Sequence, residues 1–93
     1  MTSESPSHII IPPESLYQPL GDEAVVLSVA TEHYYGLNET AKRIWELLVE
    51  FGDLETVVTR MREEFEVDDG TLRNDVARLI DELREAQLVR IEG

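Results

Sequence analysis

After Leu37 the spacing of apolar residues changes from two to about 3.6, which divides the chain into a strand-forming half and a helix-forming half. In the first half, Val25, Val26, Leu27 and Val29 are strong strand formers, and the residues around them alternate. In the second half, Ala41, Ile44, Trp45, Leu48 and Phe51 fall on one helical face, opened by Asn38 and closed by Gly52. Leu54, Val57, Val58, Met61 and Phe65 repeat the pattern behind Asp53. Leu72, Val76, Leu79, Ile80, Leu83 and Ala86 then form the longest stripe, behind Asp68 or Asp69, in a helix expected to run to about Gln87. A chain of 93 residues supports one core, so both halves must share it.

The strand half reads as residues 8–11 and Ser15–Leu20, interrupted at Pro12 and Pro13, then residues 23–29 and 33–37 with turns at Gly21–Asp22 and residues 30–32. Residues 88–91 suggest a short extended tail, and residues 1–7 a flexible one ahead of a single domain over residues 8–93. Three strands followed by three helices predict an α+β domain, a winged-helix-like arrangement with helices on one face of a three-stranded antiparallel sheet.

Composition removes several function classes. The absence of cysteine excludes disulfides, thiolate metal sites and a cysteine nucleophile, and favours the cytosol. Residues 1–7 are polar and acidic, and no apolar run approaches the ~20 residues that span a bilayer, so a cytoplasmic protein without membrane contact is expected. A net charge of −12 repels nucleic acid. His8 and His33 lie apart, and the acidic group Glu63, Glu64, Glu66, Asp68 and Asp69 lacks calcium-loop spacing. Neither a phosphate loop nor a nucleophile motif is present, so no catalytic residue, metal or cofactor is expected.

The stretches Leu20-Gly-Asp-Glu-Ala-Val-Val-Leu and Tyr34-Tyr-Gly-Leu-Asn-Glu-Thr-Ala-Lys-Arg-Ile-Trp-Glu-Leu-Leu, with Val76, Leu79, Leu83, Leu88 and Val89, resemble the PqqD-like proteins. The resemblance covers residues 9–91. It implies a recognition element for ribosomally synthesised, modified peptides: a non-enzymatic domain that binds the leader of a precursor peptide and presents it to modifying enzymes. In such proteins the leader adds beside the third strand and lies against the third helix, here residues 34–37 and 69–86. Free-standing copies of this size resemble the leader-binding protein of split lasso-peptide systems, whose partner is a leader peptidase.

The physical logic of such a site is that an unpaired strand edge offers backbone donors and acceptors while alternate side chains enter pockets. Tyr34, Tyr35, Gly36 and Leu37 would form the edge, with Asp75, Val76, Leu79, Ile80 and Leu83 forming the pocket and Arg73 and Arg78 available to carboxylates. Proline at Tyr35 would then remove a backbone donor needed for binding. The plainer role for Val76, Leu79 and Leu83 is core, as for Leu37, Ile44 and Trp45, and alternation sends Tyr34 and Tyr35 to opposite faces. Two other readings stay open: a winged-helix DNA-binding regulator, and an adaptor that dimerises through a sheet edge, the protein being otherwise a monomer or weak dimer. Against the first, the third helix sets Arg73, Arg78 and Arg84 against Asp75, Asp81, Glu82 and Glu85.

Overall fold

The computed structural model describes residues 8–92, so the tail expected over residues 1–7 lies outside the described residues. The chain runs β1 (His8–Ile10), β2 (Ser15–Leu20), β3 (Glu23–Ser28), β4 (Tyr34–Leu37), α1 (Glu39–Phe51), α2 (Leu54–Glu64), α3 (Asp69–Glu85) and β5 (Arg90–Glu92). Strands β2, β3 and β4 form the antiparallel three-stranded sheet expected from sequence, and the three helices follow it.

The run from His8 to Leu20 is two strands rather than one interrupted edge. The prolines cannot donate to a ladder, so the chain leaves the sheet there, with the Ser15 N–H donating to the Pro12 carbonyl at 3.0 Å. Ahead of the break, β1 pairs with β5 in a separate antiparallel ribbon, Ile9 opposite Ile91. The extended tail read after α3 is therefore a paired strand that ties the two ends of the fold together.

Each helix starts where a side chain satisfies an open backbone donor. Asn38 accepts from the Ala41 N–H at 2.8 Å, Asp53 from Thr56 at 3.1 Å and Asp68 from Thr71 at 3.1 Å. Helix α1 ends at Gly52, whose φ of 72° is left-handed and whose N–H donates to the Leu48 carbonyl at 2.9 Å. A Cβ there would lie 3.3 Å from the His8 ring. Gly52→Ala should therefore lower stability by more than about 1 kcal/mol, from the backbone strain plus displacement of β1, read as a lower urea midpoint.

The core lies between the inner face of the sheet and the helices. Ala24 and Val26 of β3 and Leu37 of β4 meet Ile44, Trp45, Leu47 and Leu48 of α1. Helix α2 adds Val57, Val58 and Met61, and α3 adds Leu72, Val76, Leu79, Ile80 and Leu83. Trp45, 2% exposed, stacks on Tyr17 of β2 with ring centroids 6.0 Å apart. Burial and the negative charge of Glu46 hold the Tyr17 phenol above its ordinary pKa. Arg43 forks onto Glu64 at 2.8 and 2.6 Å, tying α1 to α2 on the rim.

Candidate peptide-binding groove

The sheet ends on β4, so one side of that strand has no neighbour among the described strands. The Ser28 N–H donates to the His33 carbonyl at 2.8 Å, and Tyr35 lies opposite Val26. Antiparallel ladders alternate, so His33, Tyr35 and Leu37 turn their backbone groups towards β3, while the N–H and C=O groups of Tyr34 and Gly36 face outward. The Val29 N–H donates to the Glu14 carbonyl at 3.0 Å on the other side of β3, which fits the same phase. The donor of Tyr35 is thus inside the sheet, and the outward donors are those of Tyr34 and Gly36.

Side chains alternate in step. Tyr34 is 73% exposed on the outer face, whereas Leu37 is buried and Tyr35 half-buried on the helix side. Gly36 has no positive φ, and a Cβ built there meets nothing within 4 Å. Nothing among the described residues requires glycine at this place.

Beneath the free edge, β4, the first turns of α1 and the middle of α3 enclose a cleft of about 340 Å³. Tyr35 supplies one wall, Asn38, Thr40, Ala41 and Ile44 the end, and Asp75, Arg78, Leu79 and Glu82 the opposite wall. The α3 residues fall at i, i+3, i+4 and i+7, one face of the helix. Arg78 pairs with Asp75 at 3.2 Å. The Tyr35 hydroxyl donates to the Glu82 carboxylate, joining the edge strand to α3 across the cleft.

That hydrogen bond, then partial burial and the Glu82 charge, raise the Tyr35 pKa, with Arg78 opposing. Because the folded value lies above the unfolded one, the contribution is fully present below pH 10.0, the ordinary phenol value, and is lost as pH rises through the folded value. Ultraviolet titration should find two phenolates, those of Tyr17 and Tyr35, forming above the ordinary value, and Tyr35→Phe should remove one of them and leave the other.

Of the residues expected from sequence to bind, Tyr35, Asp75, Arg78 and Leu79 meet in the cleft, and Tyr34 and Gly36 provide the outward edge. Leu37, Val76, Ile80 and Leu83 are no more than 4% exposed and belong to the core. Arg73 is turned to the other flank of α3, where it forks onto Glu55 of α2, with one contact of 3.0 Å. The structure adds Asn38, Thr40, Ala41, Ile44 and Glu82 to the lining. Only Asn38 lies between β4 and α1, which sets the first helical turn beside the edge, and Glu82 follows Arg78 by one turn.

Among the described residues no group of three or more histidine, cysteine, aspartate or glutamate side chains could hold a metal, and no helix is long and apolar enough to cross a membrane. The lining of the cleft suits noncovalent capture of an extended chain.

The structure is similar to that of TbiB1 in complex with the TbiA(beta) leader peptide, 30% identical with a TM-score of 0.82, over 87% of this chain and 94% of that one. It shares its fold with lasso peptide synthetase B1 complexed with the leader peptide, 24% identical with a TM-score of 0.79, over 89% of this chain and 98% of the other. No curated protein matches it. The family model described as coenzyme PQQ synthesis protein D (PqqD) matches residues 23–89, well over half of the chain, which therefore belongs to the PqqD family.

Proposed function

We propose that this protein is a cytoplasmic, non-catalytic recognition element that binds the leader of a ribosomally synthesised precursor peptide as an added strand on β4. The unpaired edge of β4 directly above a cleft walled by α3 carries this reading. A leader strand on that edge reaches the N–H and C=O groups of Tyr34 and Gly36. Its alternate side chains enter the cleft between Tyr35 and Leu79. A relative 30% identical over most of the chain, solved with a leader peptide bound, supports the assignment.

The protein then delivers the leader to a modifying enzyme, such as the leader peptidase of a lasso-peptide system, and residues 8–93 act as one binding unit. Needing no cofactor or metal, it works as a monomer or weak dimer. A DNA-binding role is disfavoured by the acidic third helix. Dimerisation through β4 would use the same edge and so compete with the leader.

Titration with fluorescently labelled leader peptides encoded beside its gene, read by polarisation, tests the proposal. One leader should bind saturably in the micromolar range or tighter, and its scrambled version should not. A folded protein that binds no such leader would refute the reading. Dimers dispersed by no peptide would point to the adaptor, and a DNA mobility shift to the regulator.

A further inference from the structure

The α3 wall of the cleft beside β4 carries one charge that the protein leaves uncompensated. Asp75, Arg78 and Glu82 line it, two acids against one base, and Arg78 is committed to Asp75 at 3.2 Å. Glu82 is exposed and forms no ion pair among the described residues; the group it meets is the Tyr35 hydroxyl, a neutral donor. That bond engages Oε1 and leaves other acceptor sites of the carboxylate open. Cations on the surrounding elements are used elsewhere. Lys42 of α1 donates to the Gly21 carbonyl, Arg43 forks onto Glu64, Arg73 lies on Glu55 and Arg84 has Asp81.

The Tyr35 bond also locates this charge relative to the free edge. Tyr34 and Gly36 turn their backbone groups outward, so an antiparallel strand added to β4 forms its hydrogen-bonded pairs with those two residues. The added residue opposite Tyr35 then belongs to a non-hydrogen-bonded pair. Its Cβ lies about 4.5 to 5.5 Å from that of Tyr35, and its side chain points to the same helix-facing side. From that side Tyr35 reaches Glu82 with its hydroxyl. Lysine and arginine are about as long as tyrosine, so either one opposite Tyr35 runs beside the ring and brings its charge to the same carboxylate. Two further conditions favour a cation there. The net charge of −12 attracts it, and the added strand covers the mouth of the cleft, where exclusion of water strengthens an ion pair.

We infer that Glu82 is a specificity-determining residue, accepting hydrogen bonds from a lysine or arginine at the leader position opposite Tyr35, with Tyr35 as the positioning residue that aims its carboxylate. This rests on strand addition to β4 and gives that addition a register. Backbone pairing alone is satisfied at every second residue of a leader, whereas the Glu82 contact is made at one.

The test measures the polarisation affinity of the labelled leader encoded beside the gene for the wild type, Glu82→Gln, Tyr35→Phe and the double variant. Glu50→Gln, which removes the same charge near the far end of α1, is the control. Each lysine and arginine of the leader is also replaced in turn by glutamine. Glu82→Gln should bind the intact leader about fivefold more weakly, with Glu50→Gln close to wild type. One leader replacement should weaken wild-type binding by a similar factor and cost Glu82→Gln nothing further. Tyr35→Phe keeps the ring that walls the cleft, so it should lose about twofold on its own and nothing when Glu82 is already glutamine. Circular dichroism should be unchanged throughout, since Glu82 and Glu50 are exposed. Glu82→Gln binding as tightly as wild type, an equal loss in Glu50→Gln, losses that add for every leader replacement, or a leader with no sensitive lysine or arginine overturns the contact while strand addition stands. A Tyr35→Phe loss that persists in the double variant overturns the positioning role. No leader binding by the wild type overturns strand addition as well.

Discussion

Gly36→Pro is expected to abolish leader binding while leaving the protein folded. The N–H of Gly36 faces away from β3, so its loss breaks no bond of the sheet. A Cβ at this position meets nothing within 4 Å, and edge strands tolerate proline when the lost donor faces outward. A leader strand would meet ring carbons where its carbonyl should accept a hydrogen bond. An unpaired acceptor together with the displaced strand should cost about 3 kcal/mol, a loss of more than a hundredfold in affinity. Polarisation titration reads the loss, and an unchanged urea midpoint confirms that it is not unfolding. Tyr35→Pro is the contrasting variant, because its donor serves the pair with Val26 inside the sheet. Its damage should fall on stability first, contrary to what the sequence alone suggested. Equal affinity of Gly36→Pro and wild type would place the leader elsewhere.

Leu83→Ala should be the most damaging of the α3 substitutions to stability. Leu83 is fully buried in the core, so truncation removes transfer free energy and leaves a void. The expected loss is about 2 to 5 kcal/mol, out of roughly 5 to 15 kcal/mol for a domain of this kind. The urea midpoint should drop steeply with little change in slope, as for a loss of stability without a change in the surface exposed. Leu79 lines the cleft as well as the core, so a change there reports on the site, whereas Leu83→Ala reports on the fold. A Leu83→Ala protein as stable as wild type would contradict the packing described for α3.

The comparison of Leu83 with Leu79 also shows how far the sequence was legible. The period switch at Leu37, the caps Asn38, Asp53 and Asp68, and the stop at Gly52 are local signals, and the helices follow them closely. The long apolar stripe of α3 identified a packed face, but a stripe does not separate residues that point into the core from those at its flank. The flank facing β4 carries Asp75, Arg78 and Glu82, and the opposite one carries Arg73 against Glu55. Charge alone does not distinguish these sides, since only the path of α2 and β4 around α3 assigns them. Pairing of β1 with β5 was equally out of reach, because Ile9 and Ile91 meet across nearly the whole chain and neither strand has a local partner. The alternation that sends Tyr34 outward and Tyr35 inward was readable, whereas the phase of the backbone donors needed the observed register with Val26.

Amide hydrogen exchange followed residue by residue by NMR, without and with a saturating leader peptide, tests strand addition most directly. The Tyr34 and Gly36 amides should exchange rapidly in the free protein and become strongly protected in the complex. The Tyr35 and Leu37 amides, already bonded to β3, should be protected in both states. Saturable binding that leaves Tyr34 and Gly36 unprotected, or that protects another edge instead, would contradict the account.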